Sequence, residues 1–182
     1  MLSQVQPTNW PRHVRFIDST CYHASVSPAI KQQIQALPST AKSSNSKRPK
    51  VVIRPISNQS HPAYGQFGLF AGQRIAAKSQ IIDYIGEVHC DDRPNSDYDL
   101  SLCRLPEGVS IGVDASAMGN PARFVNDFRG IAIKPNALFI DTRTASGEIR
   151  ISIWSSNRDI KKGEEILVSY GKTWWRSRAH LT

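Results

Sequence analysis

Two residues in this chain have the types and settings that could bind and react: Asn126 and Tyr170. Asn126 closes the run Gly119-Asn120-Pro121-Ala122-Arg123-Phe124-Val125-Asn126, and Tyr170 ends Ile166-Leu167-Val168-Ser169-Tyr170. An asparagine offers two donors and an acceptor, which suits the amino end of a ligand. A tyrosine joins an apolar ring to a hydroxyl. Upstream lie Gly65-Gln66-Phe67-Gly68, ahead of a strand-like run, and Tyr84-Ile85-Gly86-Glu87. Glycines at the first of these let backbone groups approach a ligand closely. The spacing is not that of a dinucleotide-binding loop, and no helix follows. Each segment has a bland alternative: a turn before a strand, a polar Asx cap, an edge tyrosine with its hydroxyl in water. Their order along the chain points to a site for a cofactor and an amine.

These residues need a scaffold, and the sequence reads as short strands. Val51–Arg54, Gly68–Ala71, Ile81–Ile85, Ala137–Ile140, Ile149–Trp154 and Ile166–Tyr170 are β-branched or aromatic runs separated by turn residues. Ser146-Gly147 suits a hairpin turn. Ala115–Arg123 is the best candidate for an internal helix. The expected fold is therefore mostly β, with several small sheets and a few short helices. Residues 1–50 differ: five prolines interrupt them, at 7, 11, 28, 38 and 49. Pro38–Lys50, rich in Ser and Lys, reads as a flexible linker. Ile30, Ile34 and Leu37 predict a short helix over Pro28–Leu37 with Ser27 as N-cap, too short to stand alone.

Composition narrows the classes. The chain has 182 residues, 40% of them hydrophobic, enough for one real core. No run approaches the roughly 20 apolar residues of a membrane helix, so no membrane partner is expected. The first residues do not read as a secretory signal. Three widely spaced cysteines, Cys21, Cys90 and Cys103, argue against a disulfide framework or a four-cysteine zinc site. They suit a reducing intracellular setting, nuclear or cytoplasmic. The net charge of +8 and the basic run Lys42–Arg54 would allow a non-specific nucleic-acid contact through the N-terminal arm. Asp91, Asp92, Asp97 and Asp99 form the one acidic patch.

The ordered motifs resemble the SET-domain lysine methyltransferases over roughly residues 51–176. Gly65–Ala71 looks like the family's glycine-rich cofactor loop, and Tyr84-Ile85-Gly86-Glu87 like its Tyr-x-Gly-Glu strand. Gly112-Val113-Asp114-Ala115 with Gly119–Asn126 matches its "IDA…GNxARFxN" region. Ile160–Ile166, ending at Tyr170-Gly171, is similar to its "I-x-x-GEEL…YG" ending. The resemblance implies a β-clip-like SET fold over 51–182, preceded by the arm and linker of 1–50. A knot-like crossing (a pseudoknot near the C-terminus) would bring the Asn126 and Tyr170 segments together.

The resemblance further implies S-adenosylmethionine as methyl donor and a protein substrate, histone or non-histone, whose lysine enters a channel from the opposite face. Tyr170 would be catalytic. Gln66, Phe67, Gly68, Arg123, Phe124, Asn126, Asp127 and Trp175 would border the cofactor; Tyr84, Tyr98, Val168 and Trp174 would line the substrate channel. No metal site is expected. Four positions depart from the family pattern. Gln66 replaces a glycine; Asp127 replaces a histidine expected to meet the cofactor through its backbone. Val168 replaces an aromatic, leaving room for more than one methyl. A short post-SET-like tail with Trp174 and Trp175 replaces the zinc cysteines. The acidic run Asp91–Asp99 is expected beside the channel, attracting a basic segment. The competing reading is a SET-like module that binds a peptide or protein without turnover.

Overall fold

Runs rich in β-branched residues become strands because their side chains pack well on a pleated surface. The computed structural model describes residues 6–35 and 48–171. In chain order its elements are β1 (Arg15–Phe16), β2 (Cys21–Tyr22), α1 (Pro28–Gln35), β3 (Val51–Pro55), β4 (Phe67–Ala71), β5 (Gln80–Tyr84), β6 (Glu87–His89), β7 (Asp99–Arg104), β8 (Ser110–Asp114), β9 (Met118–Gly119), a 3-10 turn (Pro121–Phe124), β10 (Asn126–Asp127), β11 (Ala137–Arg143), β12 (Ile149–Ser155) and β13 (Leu167–Val168).

The strands form a sheet ordered β11-β12-β5, another ordered β2-β6-β8-β7, and the pairs β3-β4, β1-β9 and β10-β13. The β11–β12 hairpin turns at Gly147, whose φ of 88° suits a residue without Cβ. Ile53, Leu69, Ile81, Val88, Ile111, Ile153, Ile160 and Ile166 lie in one buried cluster beneath these sheets. No helix among the described residues is long and apolar enough to cross a membrane.

Strands β6, β7 and β8 escape the sequence reading because polar residues and Gly112 interrupt them. Gly112 is required by its neighbours: a Cβ there would collide with the His89 ring and come within 2.8 Å of the Asp99 carboxylate. The helix expected over Ala115–Arg123 is corrected to β9 followed by the 3-10 turn. Asn120 explains the break. Its Oδ1 accepts from the N–H groups of Ala122 and Ile85, each at 3.3 Å, and its Nδ2 donates to the Asp83 carbonyl at 2.8 Å. The turn can therefore start only at Pro121, whose missing N–H costs nothing there.

Residues 6–35 are woven into the same framework. β1 runs parallel to β9 and β2 parallel to β6. Trp10 is buried; its indole donates to the Val14 carbonyl at 2.6 Å, and its ring meets Phe16 and Phe124 edge-on. Ser27 caps α1 through its hydroxyl, which accepts from Ile30 N–H at 3.3 Å. Of the two fates open to this helix, docking is the one observed, because Ile34 is 1% exposed in the core. The expected linker Pro38–Lys50 lies outside the described residues up to position 47. Replacing Ile34 by alanine should destabilise the protein by roughly 2–5 kcal/mol. Urea denaturation reads this directly, and an unchanged midpoint would mean that α1 is only loosely attached.

Candidate active site

The site is built where two distant segments cross. Asn126 pairs with Leu167 and Asp127 with Val168 in the parallel β10–β13 pair. Phe128 N–H donates to the Val168 carbonyl at 3.0 Å. Asn136 grips the same segment from the other side. Its backbone N–H donates to the Leu167 carbonyl at 3.1 Å, its Oδ1 accepts from Leu167 N–H at 2.8 Å, and its Nδ2 donates to the Glu165 carbonyl at 2.7 Å. A third contact ties the crossing to β4, since Ile166 N–H donates to the Leu69 carbonyl at 2.8 Å.

Beside the crossing lies a cavity of about 520 Å³. Its lining includes His61, Gln66, Phe67, Phe124, Asn126 and Asp127 together with Tyr84, Tyr98, Leu100, Phe139 and Tyr170. Tyr170 donates its hydroxyl to the Val125 carbonyl at 2.6 Å, and Tyr84 donates to the Tyr98 carbonyl at 2.7 Å. Burial pushes both phenols above the ordinary tyrosine range. The Asp127 carboxylate adds to the shift at Tyr170, and Tyr170 to that at Tyr84. Both therefore stay protonated, with each hydrogen committed to a carbonyl.

Asn126 Nδ2 donates to the Phe67 carbonyl at 3.3 Å and to Glu165 Oε1 at 2.9 Å. Its Oδ1 takes no hydrogen bond among the described residues and is an available acceptor. Glu165 also meets His61 Nε2 at 3.1 Å. Ala63 N–H donates to His61 Nδ1, which makes Nδ1 an acceptor and Nε2 the donor to Glu165. Gly68 is not on the cavity wall; it backs the loop, and a Cβ there would stand 2.6 Å from Glu165 Oε1. Arg123 is buried, with its Nε donating to the Ala115 carbonyl at 2.8 Å and its guanidinium 4.1 Å from the Tyr98 ring centroid.

The acidic run is mostly spent internally. Arg93 pairs with Glu87, Asp91 and Asp114, while His89 pairs with Asp99. Burial pushes the Asp114 carboxyl up, but hydrogen bonds from Ser96, Ser116 and Arg93 outweigh it and hold it below its ordinary range. These bonds brace the 90–99 loop, which delivers Tyr98 and Asp97 to the cavity.

The structure brings Gln66, Phe67, Tyr84, Tyr98, Arg123, Phe124, Asn126, Asp127 and Tyr170 to one cavity. Val168 is 0% exposed beneath the crossing and is not among the residues lining this cavity. Trp174 and Trp175 lie outside the described residues. Sequence reasoning missed Pro11 and His13 from the N-terminal segment, His61, Glu165 and Phe139. Phe139 meets Tyr84 edge-on, with ring centroids 6.3 Å apart. Its place in an alternating strand was the available signal.

A family model described as the SET domain matches residues 66–171. The chain belongs to the SET-domain family. A Schizosaccharomyces pombe relative, "Histone-lysine N-methyltransferase, H3 lysine-4 specific", is 35% identical over 112 residues, which is 57% of this chain and 11% of that protein. The Arabidopsis thaliana "Histone-lysine N-methyltransferase ASHH3" is 31% identical over 112 residues, covering 57% of this chain and 29% of that protein. This SET-domain chain thus spans under a third of the length of these curated relatives. Among solved structures it is similar to ATXR5 in complex with histone H3.1, with TM-score 0.63, 19% identity and coverage of 88% and 82%; this shows the fold alone. It is also similar to a chain of Chaetomium thermophilum Polycomb Repressive Complex 2, with TM-score 0.57, 25% identity and coverage of 74% and 17%.

Glu164 predicts an acid limit. The Arg158 guanidinium, helped by Lys161 N–H and the Asn136 amide, holds its carboxyl at about 2, below the ordinary 4.5. A carboxyl depressed by folding contributes stability above its unfolded value and loses it as pH falls through the folded one. The urea midpoint should therefore decline between pH 4.5 and 2, and decline less in Glu164→Gln. Parallel profiles for the two proteins would refute this role.

Proposed function

We propose that this chain transfers a methyl group from S-adenosylmethionine to the ε-amine of a lysine in a protein substrate. The single observation that carries the reading is that one cavity is lined by both Asn126 and Tyr170. Relatives named for histones make a histone the first substrate class and the nucleus the expected setting.

The residues present suit the donor. An amino-acid nucleoside needs an acceptor for its ammonium and an apolar wall for its base. Asn126 Oδ1 offers the first; Phe67, Phe124 and the open Gly65–Gln66 backbone offer the second. When bound, S-adenosylmethionine supplies an electrophilic methyl on a cationic sulfur. Everything else falls to the protein.

Lysine near pKa 10.4 is protonated in neutral water and must shed that proton before it can attack. Tyr84, Tyr98, Leu100 and Phe139 surround it with apolar surface, which disfavours the ammonium. The Tyr170 and Tyr84 oxygens, their hydrogens already donated to carbonyls, accept from the amine N–H groups and turn the nitrogen lone pair toward the donor. Such positioning accounts for most of the acceleration in an in-line transfer between bound partners. Water carries the released proton; no side chain is assigned as base.

Tyr170→Phe keeps the ring and loses the oxygen. It should lower kcat on the order of 100-fold, the size seen when one preorganised polar group is removed. Binding of S-adenosylmethionine by calorimetry should change less than about threefold, because uniform binding is untouched. Labelled donor incubated with fractionated cell extract, followed by mapping of the modified residue, identifies the substrate. A Phe variant with full rate would overturn the assignment of Tyr170, and a wild-type protein that does not bind the donor would overturn the reaction.

A further inference from the structure

The last catalytic element is short of backbone support. The β10–β13 pairing ends at Val168, Ser169 is exposed, and Gly171 turns away at φ 86°. Tyr170 nevertheless has to hold its hydroxyl at a fixed point on the wall. The 125–127 segment holds it at both ends. The Val125 carbonyl takes the phenol hydrogen at 2.6 Å, and Asp127 Oδ2 accepts the Tyr170 backbone N–H at 2.8 Å.

The Asp127 carboxylate is itself fixed. Oδ1 accepts the Arg129 backbone N–H at 2.9 Å, and Oδ2 also accepts from Arg129 Nη1 at 2.7 Å. Its side chain is 5% exposed against 38% for Arg129. The carboxylate is thus held by hydrogen bonds and by its Arg129 partner, and charge-assisted hydrogen bonds of this kind are about twice as strong as neutral ones. Its charge also opposes ionisation of the neighbouring phenol.

We propose that Asp127, braced by Arg129, is the positioning residue for Tyr170, setting the backbone from which the phenol reaches the cavity. This rests on the methyl-transfer reading given above. Asp127 acts through Tyr170, so its value should disappear when the phenol oxygen is gone. A carboxylate needed only to keep the fold or to border the donor would matter equally with or without that oxygen.

The test is a double-mutant cycle on the full chain, read in kcat and in the KM for S-adenosylmethionine. Asp127→Asn keeps the shape but has one acceptor oxygen and no charge, so it cannot take all three hydrogen bonds from Tyr170 and Arg129. It should lower kcat about tenfold with the donor KM within about twofold, the pattern of an interaction made only in the transition state. In the Tyr170→Phe background the same change should cost less than about twofold. Arg129→Ala, which leaves the carboxylate in place, should fall between the two. Amide hydrogen exchange at Tyr170 gives a readout that needs no turnover, and Asp127→Asn should speed it selectively at that residue. Equal losses of kcat in both backgrounds, a rise in donor KM with kcat intact, or unchanged exchange at Tyr170 would each overturn the proposal. A Tyr170→Phe protein with full rate would instead remove the role of Tyr170 on which it rests, while the exchange result would still decide whether Asp127 holds Tyr170.

Discussion

Everything in the site depends on the parallel contact between Asn126-Asp127 and Leu167-Val168. A pair of strands two residues long has almost no stability of its own. It persists because side chains and a neighbouring strand close around it. Asn136 takes three hydrogen bonds on one flank, and β4 takes the Ile166 N–H on the other. Val168 and Ile166, both fully buried, fill the space beneath. The same crossing carries both Asn126 and Tyr170 to the cavity lining.

The electrostatic design follows from burial. Neither phenol can ionise cheaply at that depth, and each gives its hydrogen to a carbonyl instead. The oxygens are thereby fixed as acceptors, which suits an incoming amine. The carboxylates near the cavity are likewise engaged: Asp127 and Asp114 pair with Arg129 and Arg93, and Glu165 accepts hydrogen bonds from His61 and Asn126. Compensated charges of this kind shape a field without leaving a bare ion in a low-dielectric space.

Much of this was legible in the sequence, for physical reasons that differ by residue. Strands such as Ile149–Ser155 were plain because β-branched residues alternate and a Ser-Gly turn precedes them. Asn126 and Tyr170 were plain because their motifs are contiguous. β7 and β8 were hidden because Gly112 and several charged residues blur the alternation, and only the His89–Asp99 contact explains them. That Val168 is fully buried could not be read, because position in a strand does not reveal which side faces the core. The contribution of Pro11 and His13 could not be read at all, since nothing local links them to residues more than fifty positions away. The short helix expected before Asn126 failed for a similar reason: Asn120 spends its side chain on Asp83 and Ile85, across a long stretch of chain.

The parallel pairing of β1 with β9 and of β10 with β13 also bears on how the molecule assembles. Loops that close over such distances form slowly, because chain entropy is lost before any contact rewards it. Synthesis runs from the N-terminus, so Tyr84 and Leu100 emerge before β13, and the lining of the cavity is complete only once that strand has docked.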